Sequence, residues 1–138
     1  MKILSLDIGD QWIGTALSDP LGIIATPYKT VTANTLDSFL QEILQKERIG
    51  CVVVGHPITL RGTESTQTLK VRSLFETLQK SYPNVSWVLW DERLTSRQAD
   101  KIKQAKTKQE KIKSHSRAAA LILESYLQRL SVLSNQDN

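Results

Sequence analysis

The sequence predicts an α/β fold built on a mixed sheet. Three observations predict it. Residues 1 to 31 read as three strands joined by short turns, two later apolar runs alternate with helical periodicities, and the C-terminal part carries a long amphipathic helix. A meander followed by strand-helix alternation implies antiparallel pairing on one side of the sheet and parallel pairing on the other, with helices covering it.

The elements follow in order. Leu4, Leu6 and Ile8 alternate with Ser5 and Asp7, which makes a strand carrying a carboxylate, and Gly9-Asp10-Gln11 turns the chain into a second strand from Trp12 to Ser18. This is not a dinucleotide turn, which needs Gly-x-Gly-x-x-Gly leading into a helix. Gly22 to Val31 reads as a third strand whose Pro27 suits a sheet edge. Asn34 or Thr35 can cap a helix with Leu36, Phe39, Leu40, Ile43 and Leu44 on its apolar face, ending near Arg48. Cys51 to Val54 is a short run of the kind buried on both faces, followed by Gly55-His56-Pro57. A polar stretch at 61–66 leads to a second helix along Leu69, Val71, Arg72, Leu74, Phe75 and Leu78, closed by Tyr82-Pro83-Asn84. Val85 to Trp90 is a further strand, ending in Asp91-Glu92. Ala119, Ile122, Leu123, Tyr126, Leu127 and Leu130 then form one helical stripe, with a frayed tail expected over 134–138.

A chain of 138 residues suits one domain over its whole length, able to bury a core without disulfides or structural metals. The lone Cys51 sits in an apolar run and reads as a small core residue of a reducing compartment. With no apolar run of transmembrane length and no signal-peptide layout, a soluble cytoplasmic protein and no membrane partner are expected. The net charge is +4 and the pI near 9.3. Nine of the basic residues fall between Arg93 and Arg117 against two acids, so this window carries +7 while the remainder sums to −3. Such a segment is either a solvated face or a surface for a phosphate backbone.

Ligands in sheets of this kind sit beyond the carboxyl ends of parallel strands. Those ends supply Asp7, then Gly55-His56-Pro57, then Asp91 and Glu92. Carboxylates brought together there repel one another unless a divalent cation neutralises them, which points to a metal site of hard oxygen ligands. His115 extends the apolar stripe of the last helix and should face the sheet, as a core residue or as part of the site. His56 either fills the start of its loop or touches substrate. Acids near a basic segment suggest metal-assisted phosphodiester cleavage. No nucleophile elbow, Walker loop or zinc spacing competes with that chemistry.

Leu6-Asp7-Ile8-Gly9 with Ile13-Gly14 and Ser18-Asp19, Val52 to Pro57 with Gly62-Thr63, Asp91-Glu92-Arg93-Leu94-Thr95, and Ala118 to Leu127 together resemble the YqgF family over nearly the whole chain. That family comprises RNase H-like domains described as Holliday junction resolvases and as nucleases maturing the 5′ end of pre-16S ribosomal RNA. The resemblance implies a five-stranded mixed sheet in order 3-2-1-4-5 and a divalent-metal nuclease using Mg²⁺ or Mn²⁺, with Asp7 and Glu92 as acidic ligands. It places His115 where the family has a third acid at the last helix, a change that lowers the negative charge and favours Mn²⁺. Trp12 stands where the family usually has arginine, and His56 where it has leucine. Trp12 either stacks on a base or packs across the hairpin.

The expected site is therefore Asp7, Glu92 and His115, with Arg93, Arg97, Lys101 and Lys103 on phosphates and Trp12, His56 and Thr95 as further substrate contacts. The expected partner is structured RNA, pre-16S rRNA within a pre-ribosomal particle, bound by a monomer or homodimer. Alternatives are a resolvase acting on branched DNA as a two-fold dimer, and a non-catalytic nucleic-acid-binding protein whose metal site has decayed. An actin-like phosphotransferase would need two related domains, for which the chain is too short.

Overall fold

The computed structural model describes residues 1–58, 65–95 and 107–136. Five strands, β1 (Lys2–Ile8), β2 (Trp12–Ser18), β3 (Ala25–Thr32), β4 (Ile49–His56) and β5 (Ser86–Asp91), form one sheet in the order β3-β2-β1-β4-β5. β1 pairs antiparallel with β2, and β2 antiparallel with β3; β1 with β4 and β4 with β5 are parallel. The meander and the alternating half of the chain thus meet at β1, as the resemblance implies. Pro27 lies on the edge strand β3, where a missing backbone donor costs least.

Strand period 2 divides the side chains between two faces. Leu4, Leu6, Ile8, Ile13, Leu17, Val52, Val54 and Trp87 pack in one cluster with Leu36, Leu40 and Ile43 of helix α1 (Leu36–Lys46) and with Val71 and Leu78 of helix α2 (Thr66–Ser81). The opposite face is covered by helix α3 (Lys108–Gln136). There Ala16 packs against Ala119, Ala120, Leu123 and Leu127, and the buried Ser5 hydroxyl donates to the Ala119 carbonyl at 2.7 Å. Small residues on this face let the helix come close. A Cβ on Gly14 would lie 1.9 Å from the His115 carbonyl oxygen.

Several boundaries differ from expectation. Gly22-Ile23-Ile24 belongs to the β2–β3 loop, because Asp19 folds that segment back by accepting from the amides of Leu21, Ile23 and Ile24 at 2.7–3.2 Å. Leu69 is exposed and Thr68 takes the buried place beside it, while Val71, Leu74, Phe75 and Leu78 of the expected apolar residues pack in the core. Cys51 is only half-buried, with Tyr126 of α3 beside its thiol. Burial still pushes its thiol pKa up, as for an inert thiol. The last helix begins at Lys108 and continues through Gln136, so only 137–138 of the expected frayed tail lie outside the described residues.

Candidate active site

The carboxyl ends of β1, β4 and β5 open into a cleft of about 270 Å³ lined by Asp7, Ile8, Gly9, Asp10, Pro57, Gln67, Glu92 and His115. Each wall has a local cause. Asp7 has the same parity as Ser5 and so faces α3, opposite Gly14 of β2, and it is 4 % exposed. The turn after it is closed by Gly9 N–H donating to the Trp12 carbonyl at 2.9 Å. His115 projects from α3 over this turn; a Cβ on Gly9 would lie 3.4 Å from its Cε1.

Glu92 follows Trp90 by two residues and so stays on the α3 face, at the start of the 3₁₀ turn Glu92–Leu94 that ends β5. Gly55 leaves the space for it: a Cβ there would sit 2.6 Å from Glu92 Oε1. Two contacts hold the turn. Ser125 of α3 donates its hydroxyl to the Leu94 carbonyl at 2.9 Å, and Asp91 caps the turn by accepting from Arg93 N–H at 2.9 Å.

The two adjacent acids have therefore separated. Asp91 pairs in register with His56 on the α1/α2 side of the sheet and grips Arg93, with Nη2 to Oδ2 at 2.7 Å and Nε to Oδ2 at 2.9 Å. This fork holds the Asp91 carboxyl below its ordinary pKa, with the nearby His56 charge as a smaller contribution, and it raises that of Arg93.

Of the predicted site residues, Asp7, Glu92 and His115 come together. His56 does not join them. β4 runs two residues further than the apolar run suggests, so His56 is a buried strand residue with the parity of Val52 and Val54, outside the cleft lining. Trp12 lies half-buried on the α3 side of the hairpin, paired with Thr32 across β2 and β3 and also outside the lining. The Thr95 hydroxyl oxygen is buried, and its N–H donates to the Glu92 carbonyl at 3.0 Å, so Thr95 is built into the turn. Arg97, Lys101 and Lys103 lie outside the described residues.

Sequence reasoning missed Asp10 and Gln67. Gln67, in the first turn of α2, donates through Nε2 to the Ile8 carbonyl at 2.9 Å, and Thr68 donates its hydroxyl to the Pro57 carbonyl. These two bonds bring the N-terminal end of α2 to the ends of β1 and β4. The only signal was the polar stretch before that helix, which sets no direction.

Among the described residues no three His, Cys, Asp or Glu side chains are grouped closely enough to enclose a metal ion. Two carboxylates and an imidazole around an open cleft instead suit a hard divalent cation that keeps several waters and draws its remaining ligands from a substrate phosphate. The donor set fits that mode of binding. Among the described residues no helix is long and apolar enough to cross a membrane.

Sheet order, helix placement and acids at the strand ends define an RNase H-like protein with a carboxylate cleft. The family model described as "RuvX: Holliday junction resolvase" matches residues 1–129, and the chain belongs to that family. Relatives named "Putative pre-16S rRNA nuclease" include one from Maridesulfovibrio salexigens, 38 % identical with 94 % of this chain and 99 % of the relative covered. Another, from Sulfurihydrogenibium sp., is 36 % identical over 99 % of this chain and 97 % of its own. Among solved structures, Thermus thermophilus RuvC in complex with a Holliday junction substrate superposes with a TM-score of 0.59 at 12 % identity, covering 95 % of this chain and 96 % of that one. At that identity the likeness concerns the fold.

Proposed function

We propose that this chain is a cytoplasmic, divalent-cation-dependent nuclease that hydrolyses a phosphodiester of pre-16S rRNA during maturation of its 5′ end. One observation carries the reading: Asp7, Glu92 and His115, drawn from three distant parts of the sequence, line one cleft at the carboxyl ends of the parallel strands. Asp7 and Glu92 would hold Mg²⁺ or Mn²⁺, with His115 completing the set. A bound cation would supply an activated water and offset charge on the phosphate. The chain's own part is positional. Asp7 is fixed by its strand and buried, Glu92 is fixed by the turn that Ser125 and Asp91 secure, and His115 is fixed by α3 lying against Gly14.

Purified protein is expected to trim a 5′-extended 16S precursor RNA with Mn²⁺ or Mg²⁺ and not in chelator, and Asp7→Asn to slow cleavage by about a hundredfold or more. Undiminished cleavage by Asp7→Asn would overturn the assignment. The family description favours a second reading, cleavage of four-way DNA junctions. That reading requires a two-fold dimer making paired cuts, so a protein sedimenting as a monomer while cleaving RNA would exclude it. RNA binding without any Asp7-dependent Mn²⁺ uptake in calorimetry would instead mark a binding protein with a decayed site.

A further inference from the structure

We propose that Lys70 is the cation that takes a substrate phosphodiester at the mouth of the cleft, an inference that rests on the nucleic-acid reading above. Gln67 lines the cleft from the first turn of α2, and Lys70 follows it by three residues, on the same side of the helix. Its Nζ lies 3.9 Å from Oδ1 of Asp10, which itself lines the cleft. The ammonium therefore leans over the opening.

That pairing is loose. Both side chains are largely solvated, 56 % and 88 % exposed, and the separation is at the limit of an ion pair, so little opposes its exchange for a phosphate. An ammonium serves a phosphate well as a mobile point charge with three donors. Arg93 differs. It holds Asp91 through both Nε and Nη2, and freeing it would break the fork beside the turn that carries Glu92. When a phosphate enters, Lys70 exchanges the Asp10 carboxylate for the phosphate's non-bridging oxygens, and Asp10 is left as a competitor displaced. No bond to either group is made or broken covalently.

The test uses the full chain and two labelled probes, an RNA hairpin with a single-stranded 5′ extension and a four-way DNA junction, titrated at several KCl concentrations. Lys70→Gln is expected to weaken RNA binding about tenfold at low salt and to lower the slope of log affinity against log salt by about 0.7–0.9. Lys70→Arg should restore both. Asp10→Asn should tighten binding a few-fold, because it removes the competitor and a negative charge beside the phosphate; weaker binding by this variant would contradict the exchange. Lys80→Gln, in the last turn of α2, is the control and should change neither quantity. If the wild type binds the probes and Lys70→Gln keeps its affinity and slope, the Lys70 assignment fails alone. If the wild type binds neither probe, the nucleic-acid reading fails with it.

Discussion

A methyl group at Gly14 would meet the His115 carbonyl carbon at 2.2 Å and the Ser116 amide nitrogen at 2.8 Å, and both obstacles are helix backbone. Neither can rotate away, so Gly14→Ala must push α3 off the sheet. We expect a loss of about 1–3 kcal/mol in urea unfolding, together with weaker Mn²⁺ binding in calorimetry because His115 moves with the helix. His115→Asp tests the site from the other side. Adding a carboxylate should raise affinity for Mg²⁺ relative to Mn²⁺, whereas His115→Ala should weaken both; an unchanged Mg²⁺/Mn²⁺ ratio in His115→Asp would remove His115 from the site. At this scale the sequence was informative about Asp7, whose alternation with Leu6 and Ile8 sets its face. It was ambiguous about Asp91 and Glu92, because strand parity puts two neighbours on opposite faces without saying which face of β5 is the one Asp7 shares. Asp10 and Lys70 meet only once α2 has docked, and nothing local to either residue foretells that.

The turn after β5 links a structural acid to a functional one. Asp91 in the folded protein titrates below its ordinary value, chiefly through its hydrogen bonds to the Arg93 side chain. Its contribution to stability is therefore fully present above the unfolded pKa of about 3.9 and is lost as pH falls through the lower folded value. In Arg93→Gln that window should close: variant and wild type should differ in stability at neutral pH and converge as acidification protonates Asp91, which paired urea titrations from pH 7 downward would read. A constant difference across the range would mean that Arg93 acts through something other than Asp91. Elements were predicted better at their centres than at their ends. The apolar run Cys51 to Val54 located β4, but glycine and histidine carry no strand signal, so the two residues that place Gly55 under Glu92 and turn His56 to the other face looked like a loop. Gly22-Ile23-Ile24 failed in the opposite sense. Its apolar residues suggested a strand, while the three amides gathered by Asp19 make it a loop with Ile23 and Ile24 exposed.

Across the whole molecule a mixed sheet, antiparallel on one side and parallel on the other, was legible in the meander followed by strand-helix alternation. The order 3-2-1-4-5 rested instead on the family resemblance, because connection rules leave several orders open. The dependence of the entire fold on α3 was less legible, since a stripe on one helix does not reveal how many strands lie beneath it. α3 lies against β1, β2, β3 and β4, and its buried residues end at Leu127, while Leu130, Val132 and Leu133 are 39–47 % exposed. Truncation after Gln128 should therefore keep a folded protein with near-native urea stability. Truncation after Leu121 removes the buried Ile122, Leu123 and Leu127, and also Ser125, which bonds both Leu94 and the Trp90 indole. At about 1.5–3 kcal/mol for each buried side chain, the three apolar losses alone come to roughly 5–9 kcal/mol. A domain has only about 5–15 kcal/mol in total. We expect the shorter chain to lose the near-ultraviolet circular dichroism of Trp87 and Trp90 and, with it, Mn²⁺ binding, because the removed segment secures the turn that presents Glu92 opposite Asp7. A folded chain after truncation at Leu121 would show that the first half of α3 is enough to cover the sheet, and that the segment from Ile122 onward serves the cleft without holding up the fold.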